Sequence, residues 1–120
     1  MAFKVTVRHI GDVAIVDLAG KLTLGEGCGL LRQSIKDAIA NGDRKILVNL
    51  KDTTYIDSSG LGELVGSYAS VRNAGGEIKL LHAQSRVSDL LTITKLFSVF
   101  ESFSNEAIAL ISFSGSAASA

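Results

Sequence analysis

Between residues 45 and 82 the spacing of apolar residues changes twice, and that change restricts the fold more than any other feature of the chain. Ile46-Leu47-Val48-Asn49-Leu50 is a short, almost continuous apolar run, the pattern of a strand covered on both faces. Leu61, Leu64, Val65 and Tyr68 then fall on one stripe of a helix. Asn73-Ala74-Gly75-Gly76 ends that helix, and Glu77 to His82 resumes as a strand. Strand, helix, strand with short connections is a βαβ unit, so the strands at 45–50 and 77–82 are expected to run parallel.

The flanking segments extend this unit into a layered domain. Phe3, Val5 and Val7 alternate with Lys4, Thr6 and Arg8, the period of a half-buried strand. Gly11-Asp12 supplies turn chemistry before a second strand at Val13 to Leu18, so a hairpin is expected. From about Glu26, Leu31, Ile35, Ala38 and Ile39 trace a helical stripe that Asn41-Gly42 ends. Glycines 25, 27 and 29 leave the segment between Leu22 and Leu30 expected to be loosely fixed. Ser85 is placed to cap a third helix carrying Val87, Leu90 and Leu91, with a short strand near Val99-Phe100 after it. Ser104 then opens a last helix from about Asn105 to Ile111. The expected fold is α/β: one domain over residues 1–111, with a mixed sheet of about four to five strands and about four helices packed against it. Residues 112–120 are small and polar and are expected to form a disordered tail.

Composition removes several function classes. Lys plus Arg equals Asp plus Glu, twelve against twelve, so no charge excess draws the chain to nucleic acid or an anionic membrane. No apolar run approaches the roughly 20 residues that span a bilayer. Strand-like sequence begins straight after Met1, and Cys28 is the single cysteine, which excludes an internal disulfide. A reducing, cytoplasmic setting is the resulting expectation.

The most informative segment is Asp57-Ser58-Ser59-Gly60-Leu61-Gly62, where the buried strand hands over to a helix. Asp and Ser are both preferred helix caps, because their side-chain oxygens accept the unpaired N–H groups of the first turn. The same helix start offers unpaired donors and the positive end of the helix dipole, so a phosphate on a serine there is locally stabilised. Gly60 and Gly62 would let a partner's backbone approach. Other constellations carry less. Gly25, Gly27 and Gly29 lack the spacing of a dinucleotide loop, and Ile56 and Asp57 stand where a nucleophile elbow needs glycine. His9 and His82 have no nearby ligand partner in sequence, so neither a metal nor a cofactor is expected.

The run Tyr55-Ile56-Asp57-Ser58-Ser59-Gly60-Leu61-Gly62 resembles the signature of bacterial anti-sigma factor antagonists of the STAS domain family. Similar segments stand at Gly20-Lys21-Leu22, Lys45 to Leu50, Asn73 to Glu77 and Lys95-Leu96-Phe97, so the resemblance covers residues 3 to 111. It implies partner switching. The unphosphorylated antagonist binds an anti-sigma factor, usually a serine kinase, and frees the sigma factor for transcription. Phosphorylation ejects the antagonist, and a serine phosphatase restores it. By the same resemblance Ser58 is the phosphoacceptor, Ser59 caps the helix, and Thr23, Asp57, Ser58, Ser59, Gly60, Leu61 and Gly62 meet the partner. Thr23 is a departure, because relatives commonly carry an acidic residue there. Two other readings remain at this stage: a binding module that holds a nucleotide or other anion near Ser58, and a hydrolase using Ser58 with His9 or His82 as base.

Overall fold

Ile10 faces Val13 across the Gly11-Asp12 turn, and the pairing runs back along the two strands to Lys4 against Ala19. This is the expected hairpin. The computed structural model of the chain describes residues 2–118, apart from the side chains of Arg86, Phe97 and 114–118. In order the elements are β1 (Lys4–Ile10), β2 (Val13–Leu22), α1 (Glu26–Ala40), β3 (Lys45–Ile56), α2 (Ser58–Asn73), β4 (Glu77–Leu81), α3 (Ser85–Ile93), a 3₁₀ turn at Leu96–Ser98, β5 (Ser102–Phe103) and α4 (Glu106–Ala118). The five strands form one sheet in the order β1-β2-β3-β4-β5. Only the β1–β2 pair is antiparallel; β2–β3, β3–β4 and β4–β5 are parallel. The mixed sheet and the parallel βαβ unit therefore stand as the periodicity implies.

The two faces of the sheet are covered differently. On one face Ala14, Val16, Leu18, Ile46, Val48, Leu50, Ile78 and Leu80 pack with Leu31 and Ile35 of α1, Leu61 and Leu64 of α2, and Val87 and Leu91 of α3. On the other, Val13, Ile15, Leu47 and Leu81 form a smaller cluster with Ala109 and Phe113 of α4. Burying a side chain of this size contributes about 1.5–3 kcal/mol, so both clusters hold their helices to the sheet. The doubly apolar run at Ile46 to Leu50 is explained: α4 covers the side that α1 to α3 do not.

The structure corrects four expectations. β3 does not stop at Leu50 but continues to Ile56, through two register irregularities against β2 near Asp17/Ala19 and Gly20/Lys21. β5 lies at Ser102–Phe103, not at Val99-Phe100; Phe100 is instead a buried core residue whose ring meets Tyr68 edge-on at 5.6 Å. α4 does not end at Ile111 but runs to Ala118, so the stretch from Ser112 to Ala118 is helix and not tail. Its anchor is Phe113, fully buried, whose ring centroid lies 4.7 Å from the Lys79 ammonium; that ammonium also donates to Ser112 Oγ at 2.9 Å. Residues 119–120, the end of the expected tail, lie outside the described residues. Finally, the glycine-rich segment is mostly helix: α1 begins at Glu26, and Gly27 and Cys28 are buried in its first turn.

Candidate functional site

β2 and β3 run parallel and end level, Leu22 beside Ile56. The helices that follow them, α1 and α2, therefore begin at the same edge of the sheet. Two close approaches hold these starts in place. A Cβ on Gly60 would sit 2.1 Å from the Leu22 carbonyl oxygen and 2.9 Å from Ile56 Cγ1, and one on Gly27 would sit 2.7 Å from the Lys21 oxygen. Both helices lean on the end of β2 at positions where only glycine fits.

Asp57 caps α2. Its backbone is extended (φ −107°, ψ −176°), and the Gly60 N–H donates to its Oδ1 at 2.8 Å. The Leu61 N–H donates to the Asp57 carbonyl at 3.0 Å, closing the first helical turn. The second carboxylate oxygen reaches across to the other connection, where the Leu24 N–H donates to Asp57 Oδ2 at 3.3 Å. Ser58 is the first residue of α2 and is exposed; Ser59 is half-buried. The Ser58 and Ser59 amides belong to the opening turn and have no intrahelical acceptor, so Ser58 stands where added negative charge meets the positive helix end.

Several sequence-based roles change. Ser59 does not cap α2, because Asp57 does. Smaller offsets, of one residue each, occur elsewhere: Gln84, not Ser85, occupies the cap position of α3, and Asn105, not Ser104, accepts the Ile108 N–H at the start of α4. Gly60 and Leu61 point inward, so they support the site without offering side-chain surface to a partner. Gly62 is open, with nothing within 4 Å of the place a Cβ would take. Thr23 is half-buried, and its carbonyl accepts the Cys28 N–H. Burial, followed by the nearby Glu63 and Asp57 charges, pushes the Cys28 thiol up, so it stays protonated at neutral pH.

Neither histidine is near Ser58. His9 sits at the opposite end of the sheet, at the hairpin turn, and pairs with Asp43 at 3.1 Å. His82 follows β4, whose last residue Leu81 lies beside Asn49. From Asn49 to Ile56 is roughly 20 Å of strand at about 3.3 Å per residue. The structure thus gives Ser58 no histidine base from either candidate. Among the described residues no three His, Cys, Asp or Glu side chains converge to hold a metal ion, and no helix is long and apolar enough to cross a membrane.

Sequence reasoning missed two features of this edge. Leu24, at the tip of the α1 connection, is 78% exposed; an apolar residue standing alone in a Thr-Leu-Gly-Glu loop was the available signal. Arg32 of α1 and Glu63 of α2 form a 2.6 Å ion pair that ties the two helices together just below the site.

A mixed sheet with two helix starts side by side at one end, one of them capped by Asp57 and carrying an exposed serine, is thus the geometry to set beside known proteins. The STAS domain family model matches residues 4–109, and the chain belongs to that family. It is 31% identical over 111 residues to an anti-sigma F factor antagonist of Paenibacillus polymyxa, covering 92% of this chain and 94% of the relative. An anti-sigma-B factor antagonist of Bacillus subtilis is 31% identical over 101 residues, covering 84% and 91%. The crystal structure of a putative anti-sigma factor antagonist from Thermotoga maritima superposes with a TM-score of 0.83 at 25% identity, over 90% of this chain and 92% of that one.

Proposed function

We propose that this chain is an anti-sigma factor antagonist that works by partner switching in the cytoplasm and not by catalysis. With Ser58 free it binds an anti-sigma factor that is itself a serine kinase; phosphorylated on Ser58 it leaves; a serine phosphatase returns it to the binding state. The observation that carries this reading is the setting of Ser58. It is an exposed hydroxyl on the first residue of a helix whose start is fixed by a side-chain cap and a glycine close approach. Thr23, Ser59 and Gly62 lie around it as the remaining partner contacts.

The physics of release follows from charge. A phosphoserine carries about −1.5 to −2 charges near neutral pH. In the free protein the helix N-terminus offsets part of that charge, so the fold survives. In a complex the phosphate would be buried against a surface shaped for a neutral hydroxyl, and mispaired interfacial charge costs several kcal/mol. A cost of about 3–4 kcal/mol lowers affinity by roughly 10²–10³.

The test uses the purified chain with the serine-kinase anti-sigma factors of its own organism. Calorimetry with ADP should show binding by the wild type and Ser58→Ala, and loss of binding by Ser58→Glu. Adding ATP should eject the wild type and leave Ser58→Ala in place, with phosphate mapped to Ser58. Phosphate found on Ser59 alone, or a Ser58→Glu protein that binds as tightly as Ser58→Ala, would refute the switch.

A further inference from the structure

The Asp57 carboxylate has two oxygens and uses them on two different segments. Oδ1 accepts from Gly60 in its own helix, and Oδ2 accepts from Leu24 on the neighbouring connection. Only the first of these is helix capping. The second joins the α1 connection to the α2 start, and the residue it fixes is the most exposed large apolar side chain of the described residues. Gly25, next to Leu24, has φ 103° and caps α1 with no side-chain hydrogen bond. The tip of the connection therefore depends on Asp57 for a side-chain anchor.

An exposed leucine alone needs no explanation. A leucine whose backbone is tied to the residue preceding the switch serine is different, because its position and that of Ser58 are then set by one side chain. Ordering a loop before binding removes an entropy cost that the complex would otherwise bear. We infer that Leu24 is the apolar anchor of the partner contact and that Asp57 is the positioning residue that holds it beside Ser58. The anti-sigma factor that this chain recognises then carries an apolar socket next to the place where it meets the Ser58 hydroxyl. This rests on the function proposed above; the Asp57–Leu24 coupling in the free protein does not.

The discriminating variant is Asp57→Asn. Asn is as good a helix cap as Asp, but its side-chain amide has one acceptor oxygen, so it serves one of the two N–H groups and presents a donor to the other. With the cap kept, Leu24 is released. In ¹⁵N relaxation of the free protein, the Leu24 amide should have an order parameter near the rigid value of about 0.85 in the wild type and fall below about 0.6 in Asp57→Asn. The Gly60 amide should stay rigid in both. A Leu24 amide that is already mobile in the wild type, or unchanged in the variant, overturns the coupling.

The anchor is tested by affinity for the anti-sigma factor that binds the wild type. Leu24→Ser should weaken binding about 30-fold or more, as truncating a contact hot spot does, while Leu24→Met stays within about threefold because volume and apolarity are kept. Asp57→Asn should weaken binding about tenfold, and the double variant should bind no more weakly than Leu24→Ser alone, since residues that act through one another are not additive. Fully additive losses refute the claim that Asp57 acts through Leu24. A Leu24→Ser protein that binds like the wild type and is still ejected by ATP removes the anchor and leaves the switch standing. Failure of the wild type to bind any of these anti-sigma factors refutes the functional reading and the anchor with it, and relaxation still decides the coupling.

Discussion

α1 and α2 begin side by side at one edge of the sheet, and they are started by opposite means. α1 opens at a glycine with left-handed backbone and no side-chain cap, held by the burial of Gly27 against β2 and by the Glu26 carboxylate, which accepts the Phe3 N–H at 3.1 Å. α2 opens at an aspartate whose carboxylate satisfies one amide of its own turn and one of its neighbour's connection. The nucleophiles of the two first turns differ accordingly. Cys28 is buried with its thiol pushed up, whereas Ser58 is exposed. The first turn of α1 buries its Cys28, while that of α2 leaves Ser58 at the surface beside polar contacts, with Gly60 beneath it seated against β2. A modification can therefore be placed on the second without disturbing the packing that holds the first.

The contrast can be broken most severely at Gly60. Gly60→Ala places a methyl 2.1 Å from the Leu22 oxygen. Overpacking against backbone should cost about 3 kcal/mol, a fall of roughly 10 °C in melting temperature. Gly27→Ala meets its nearest backbone oxygen at 2.7 Å and should cost less, about 1–2 kcal/mol. Calorimetric melts of the two should keep that order; an equal cost would mean that the two helices are seated alike, and a reversed one that α1 is the more tightly seated. Asp57→Ala should come next, at about 1 kcal/mol within the usual 0.5–2 for a lost cap. Glu26→Gln keeps an acceptor for Phe3 and loses only charge near the helix end, so about 0.5 kcal/mol is expected. Ser58→Glu should change stability least. The new charge meets the helix N-terminus favourably and Asp57 unfavourably, and the melting temperature should stay within about 2 °C. A Ser58→Glu protein that unfolds would show that α2's start is not the tolerant one.

Much of this was legible in the sequence, for reasons that the same residues make clear. The hairpin, the βαβ unit and the stripes of α1 and α2 are carried by local period, and each stands where the pattern places it. β3 beyond Leu50 was not legible, because Lys51-Asp52-Thr53-Thr54-Tyr55 crosses two register irregularities that break alternation. The caps were displaced by one or two residues because Asp57-Ser58-Ser59 and Ser104-Asn105 each offer neighbouring side chains capable of the same bond, and backbone geometry makes the choice. The end of α4 was missed because its partner is remote. Ser112 and Phe113 meet Lys79, 33 residues away for Ser112, and no local pattern encodes that contact. At the site, the motif marked Ser58 and Asp57, but the bond that brings Leu24 to Asp57 spans 33 residues and is equally silent in sequence.

Lys79 also bears on how the chain can be cut and fused. Its ammonium is nearly inaccessible, enclosed by Phe103, Phe113 and Ser112, with Glu101 at 3.4 Å. A version shortened to residue 109, where the family match ends, would keep every strand and still lose Ser112 and Phe113, uncovering that cation on an apolar sheet face. Such a protein should be prone to aggregation although its family core is intact. Recombinant boundaries, fluorescent fusions and affinity tags therefore belong after the last turn of α4.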